Sequence, residues 1–178
     1  MIDAAAPNSY DDDPQAPEEL EHLNGWRAFA TLSQFLKDDG WYPQQLEKKT
    51  IHRVYFAGEN GELRCYAQIR VDLEQFLFYV IAPVKAPEHV RPLVAEYITR
   101  ANYGLRIGNF EMDYSDGEVR YKSSLDFEGE TLTPALIKNA MYPAVHTMDF
   151  YLPGLLSVMY GNKTPVEAIR EIEGEPAQ

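Results

Sequence analysis

The chain has 178 residues, 45% of them apolar and 12% aromatic, which suits one domain with a buried core plus tails. The formal net charge is −12, and residues 1–21 hold seven acids (Asp3, Asp11, Asp12, Asp13, Glu18, Glu19, Glu21) and no Lys or Arg, leaving −5 for the rest. This balance argues against nucleic acid and anionic membrane surfaces as partners, since both are gripped by Lys and Arg. No apolar stretch approaches the ~20 residues needed to span a bilayer.

Residues 1–20 read as a disordered acidic tail, rich in Pro, Ala and Asp and without periodicity. Asn24 is placed to cap a first helix over 25–38, with Trp26, Phe29, Ala30, Ser33 and Leu36 as its buried face. The period then changes to two. Residues 51–57, 62–71 and 76–82 read as strands, the first two joined at Asn60-Gly61. In the second, Leu63, Cys65, Ala67, Ile69 and Val71 share one face, and Arg64, Tyr66, Gln68 and Arg70 the other. The third is apolar on both faces, so it is either covered twice or meets a partner on its second side.

A second helix is expected from Pro87 or Glu88 to Tyr103, with an apolar stripe from Val90 to Ala101 and Gly104 beyond its end. Residues 105–114 and 118–127 read as a second hairpin around Ser115-Asp116-Gly117. The alternation slips between Leu105/Ile107 and Phe110/Met112/Tyr114, which predicts a β-bulge near Gly108-Asn109. A third helix starts at Thr131 or Thr133 and runs to about Tyr151, kinked at Pro143 and bent or broken at Pro153-Gly154. A short helix over 165–173 follows. The order is α-β-β-β-α-β-β-α plus a C-terminal helix. It implies an α+β fold with a five-stranded antiparallel sheet and helices packed on it. Residues 21–173 form one domain on this reading, and 174–178 a free end.

The residues that could carry chemistry are few. His22, His52, His89 and His146 stand at no metal-ligand spacing from one another or from Cys65. The alternation places His52 on the polar face of its strand. Cys65, the single cysteine, lies on the buried parity and excludes an internal disulfide, which suits a reducing compartment and hence the cytoplasm. Asp113, Asp116, Asp126, Glu128 and Glu130 gather near the second hairpin but match no calcium-loop spacing. No nucleotide, hydrolase or zinc-protease motif is present, so no catalytic residue, cofactor or metal site is assigned. The twelve tyrosines point elsewhere, because an apolar ring with a polar tip suits an interface. The candidate partner-binding surface is Tyr66, Leu77, Tyr79 and Ile81 on the sheet's second face, rimmed by Arg64, Gln68 and Arg70.

The element order, and above all the stretch RANYGLRIGNFEMDYSDGEVRYKSSLDFEG (residues 100–129), resembles the YbjN family. That resemblance implies a fold like that of the class I type III secretion chaperones, over about residues 24–160. Members of the family are described as regulators, and the related chaperones bind extended partner segments as homodimers. The expected function is therefore a non-catalytic protein-binding module with a chaperone-like or regulatory role. Its partner would lie on the sheet face or in a groove beside the second helix, or add as a strand to the first or fifth strand. Two alternatives stand beside it: a structural or assembly subunit of a larger complex, and a small-ligand binder or enzyme with a scattered site.

Overall fold

The structure, a computed structural model, describes residues 22–174; the expected tail over 1–20 lies outside them. The elements are α1 Leu23–Asp38, β1 Gln44–Gln45, β2 Ile51–Ala57, β3 Glu62–Arg70, β4 Gln75–Ile81, a 3-10 turn Glu88–Val90, α2 Arg91–Tyr103, β5 Asn109–Met112, β6 Val119–Asp126, α3 Pro134–Tyr160 and α4 Pro165–Glu173. The six strands form one antiparallel sheet in the order β1-β2-β3-β4-β6-β5. The α+β class holds, but the strand count is six instead of five. β1 has two residues, too short for any period to register, and pairs only with His52 and Arg53.

Register explains the core. Val54, Cys65, Val80, Tyr121 and Phe110 lie side by side across five strands, and all point to the helices. Leu63, Ala67, Ile69, Phe76 and Phe78 share that face and are fully buried. α1 and α3 pack on the sheet, α2 lies against β5 and α3, and α4 packs on α2 and α3. Tyr97 of α2 donates its hydroxyl to the Tyr151 carbonyl of α3 at 2.8 Å, which satisfies the one polar atom of a fully buried ring.

Several local expectations need correction. α1 buries Gly25, Ala28, Leu32, Phe35 and Leu36, while Trp26 is 53% exposed. The helix is thus rotated from the stripe read in sequence, because Gly25 must meet the β3–β4 turn, where an added Cβ would overlap the Val71 carbonyl. Asn24 lies inside the helix and reaches Glu74 Oε2 at 2.7 Å and the Glu130 carbonyl at 2.9 Å. No bulge interrupts a long strand at Gly108: β5 starts only at Asn109, and Leu105 and Ile107 belong to the preceding turn. Gly108, at φ 76°, makes that turn in the left-handed region, beneath the ring of Tyr121.

α3 continues through both prolines to Tyr160. Each proline removes one backbone hydrogen bond, but its thirteen buried residues on the sheet, α2 and α4 hold the helix together. His52 is 4% exposed and faces α1, stacked on Phe29 and 2.8 Å from Ser33 Oγ, not on the polar side. The alternation IHRVYFA has apolar and polar residues in both parities, so it left the sign of the face open.

Candidate functional site

The opposite face of the sheet has no helix on it among the described residues, and its central side chains form three rows fixed by strand register. Ile51, Gln68, Leu77 and Ser124 make the first. Arg53, Tyr66, Tyr79, Lys122 and Asn109 make the second, and Tyr55, Arg64, Ile81, Arg120 and Glu111 the third. All seven residues singled out from the sequence lie on this face: Tyr66 pairs with Tyr79, Arg64 with Ile81, and Leu77 sits between Gln68 and Ser124. Arg70, paired with Gln75, stands at the end of the sheet where β3 turns into β4.

Tyr66, Leu77 and Tyr79 are half-buried by their neighbours alone. Ile81 is only 6% exposed, walled by longer side chains around it. The Arg120 guanidinium lies 4.5 Å from the centroid of the Tyr79 ring, and that of Arg64 lies 6.0 Å from Tyr66. Both cations lie across aromatic rings, an arrangement the ring quadrupole favours. Arg120 also reaches Glu111 at 2.9 Å, and Lys122 bonds the other oxygen of that carboxylate. Burial pushes the Glu111 pKa up, but the hydrogen bonds and charges of Lys122 and Arg120 outweigh it and hold the group below its ordinary value. Glu111 is therefore ionised and balances only one of two adjacent cations.

Sequence reasoning missed Ile51, Arg53, Tyr55, Arg120 and Lys122 as members of this surface. The outward parity of Arg120 and Lys122 was legible in β6. What was not legible was that β6 lies directly beside β4, since the chain reaches it only after α2 and β5.

The two ends of the sheet differ. At the β5 end, the Asn102 amide accepts from Phe110 N at 2.7 Å and donates to the Phe110 carbonyl at 3.1 Å, standing in for a further strand. At the other end, β1 covers β2 only as far as Arg53. Beyond it Tyr55, 45% exposed, and Ala57 have no strand beside them among the described residues. The sequence-predicted fifth strand, β6, is interior between β4 and β5 and offers no edge.

Other concavities are open and shallow. One, of about 770 Å³, lies between the β2–β3 hairpin and α3 and is lined by Phe56, Asn60, Pro143, His146, Asp149 and Phe150. Its buried carboxylate, Asp149, is committed to the hairpin: it accepts from Glu59 N and Asn60 N, both at 2.9 Å. Another, of about 500 Å³, runs between the start of α2 and the end of α3, beside Leu93 and Tyr160. The acids near the second hairpin are separate turn caps. Asp113 accepts from Ser115 N, Asp116 from Glu118 N, and Asp126 from Glu128 N. No group of three or more His, Cys, Asp or Glu side chains that could hold a metal occurs among the described residues. No helix among them is long and apolar enough to cross a membrane.

Known proteins supply the remaining comparison. The crystal structure of YbjN from E. coli, "a putative transcription regulator", superposes with a TM-score of 0.50 at 15% identity, over 75% of this chain and 89% of that one. The ExsC–ExsE complex gives a chain with a TM-score of 0.50 at 13% identity, over 72% of this chain and 93% of that one. At such identities the likeness is one of fold. No curated protein sequence matches the chain. The sequence profile of the YbjN family, "Putative bacterial sensory transduction regulator", matches residues 28–157, which run from the first buried turn of α1 to the last turn of α3 and include every strand of the sheet. With that match over most of its length, the chain belongs to the YbjN family.

Proposed function

We propose that this protein is a non-catalytic protein-binding module with a chaperone-like or regulatory role, acting in the cytoplasm as a homodimer. The observation that carries this reading is the uncovered sheet face. An apolar and aromatic centre (Leu77, Tyr79, Tyr66, Ile81, with Ile51 and Tyr55) is framed by Arg53, Arg64, Arg70, Arg120 and Lys122. An apolar centre with a polar rim is the anatomy of a protein interface, and Tyr and Arg are the residues that dominate binding energy there. The fold likeness to ExsC, solved in complex with ExsE, supports a protein partner, and the family description supports a regulatory setting.

The partner segment is extended on this reading. Its side chains lie across the three rows, and its backbone meets the free edge of β2 at Tyr55–Ala57. The test is affinity capture from the native organism, read by mass spectrometry, with wild type beside Tyr79→Asp and Leu77→Asp. Both substitutions place a carboxylate in the apolar centre without touching the helix-side core, so folding, checked by circular dichroism, is retained. The expected result is a partner captured by wild type and lost with either variant. Capture that survives both changes in folded protein overturns the proposed surface.

A further inference from the structure

We propose that the acidic segment 1–21 is itself an occupant of this face, docking in cis across the central rows of the sheet. The charge on the face is opposite in sign to that of the chain. Its strand residues include five cations, Arg53, Arg64, Arg70, Arg120 and Lys122, against three acids, Glu62, Glu111 and Asp126, and Arg70 is already paired with Asp72 at 3.5 Å. Two of those acids stand at strand ends, so the centre holds four cations around Glu111 alone. A carboxylate is the acceptor a guanidinium takes best.

The seven acids and no cations of residues 1–21 supply that chemistry, with Ile2, Tyr10 and Leu20 as apolar contacts. The tether fits as well. α1 begins against the β3–β4 turn, held by Asn24 on Glu74 and Gly25 on Val71, at the end of the sheet where Arg70 stands. An extended chain covers about 3.3–3.6 Å per residue, so Asp11–Asp13, nine to eleven residues before His22, reach roughly 30–40 Å. The row of Arg64 and Arg120 is about 20 Å along the strands from Arg70, plus about 10 Å to pass from the helix side to the open side. That tether is long enough to bring the three aspartates to the central rows. Tethering gives an effective concentration in the mM range, so even weak docking is well populated. A second copy is a poorer occupant, because its own face carries the same positive sign.

The docking stands on charge and reach alone; that a partner must displace the segment rests on the function proposed above. The test uses the full chain with Ser9→Cys carrying a nitroxide, since Cys65 is fully buried and stays unlabelled. At low salt, amide signals of Arg53, Tyr66, Tyr79 and Lys122 are expected to lose most of their intensity, while those of α4 do not. Recovery is expected with D11N/D12N/D13N, and in about 1 M salt, where the screening length falls to about 3 Å. Broadening that is absent, centred on the helices, or unchanged by salt and by the triple variant overturns the proposal. So does broadening of an unlabelled chain mixed with labelled chain, which assigns the occupant to a second copy. Failure here with Tyr79→Asp still abolishing capture removes only the docking; the reverse pattern removes only the partner surface.

Discussion

Asp149 is the side chain whose removal tests most directly how α3 is joined to the sheet. It sits in the middle of the long helix and is 8% exposed, yet it serves the β2–β3 hairpin by accepting Glu59 N and Asn60 N at 2.9 Å each. Asn60 Nδ2 also donates to its backbone carbonyl at 3.0 Å. Asp149→Ala removes two charge-assisted hydrogen bonds, each worth about 1.5–3 kcal/mol when the acceptor is ionised. The freed N–H groups lie at a turn, where water replaces part of the loss, so the net cost is about 2–4 kcal/mol. Asp149→Asn keeps the volume and one acceptor oxygen and costs about half as much.

Gly58 supplies an internal control. A Cβ there would overlap the Asp149 carboxylate, so Gly58→Ala is destabilising on its own. In the Asp149→Ala background the obstacle is gone, and Gly58→Ala should cost little. The assay is urea denaturation of the four proteins by circular dichroism, with amide exchange at residues 59 and 60. A loss below about 0.5 kcal/mol for Asp149→Ala, or strict additivity of the two changes, refutes the bond between α3 and the hairpin as a stabilising device.

Burial of His52, with Lys37 nearby as a lesser cause, holds its pKa below the ordinary 6.5, so it stays neutral in the folded state. Above pH 6.5 folded and unfolded chains are both neutral there. As pH falls below that value, the unfolded chain takes up the proton first and stability is lost through the lowered folded pKa. His52→Phe should flatten that limb of the stability–pH curve, and an unchanged slope would exclude His52 as its source. Asn102→Ala should cost about 1–2 kcal/mol, speed amide exchange at Phe110 and promote self-association through the opened β5 edge, followed by light scattering; unaltered exchange would show that the amide does not close that edge. Burial pushes the Cys65 thiol far above its usual range, so a disulfide reagent should react only on unfolding, and prompt reaction of native protein contradicts its burial.

The sequence by itself determined what depends on near neighbours. The two-residue period placed β2 at its actual bounds and β3, β4 and β6 within a residue at each end. Thr164 with Glu167 closes a capping box before α4, and Thr133 accepts the Leu136 amide at the start of α3. Those signals are local, and so is the alternation that put Tyr66, Leu77, Tyr79 and Ile81 on one side of the sheet. What only the tertiary structure decided is that the helices cover one side of β4 and not both, and which side of β2 they take. β4 is apolar on both faces and β2 mixed on both, so neither period nor composition breaks the tie. The tie is broken by a long-range fit: Gly25 of α1 meets Val71, α3 spans β4 and β6, and Ser33 and Phe29 close over His52. The same fit carries α3 through Pro143 and Pro153, and it turns α1 so that Leu32 and not Trp26 enters the core. Periodicity defines two faces for each strand, whereas their cover is chosen by apolar area buried between elements far apart in the chain.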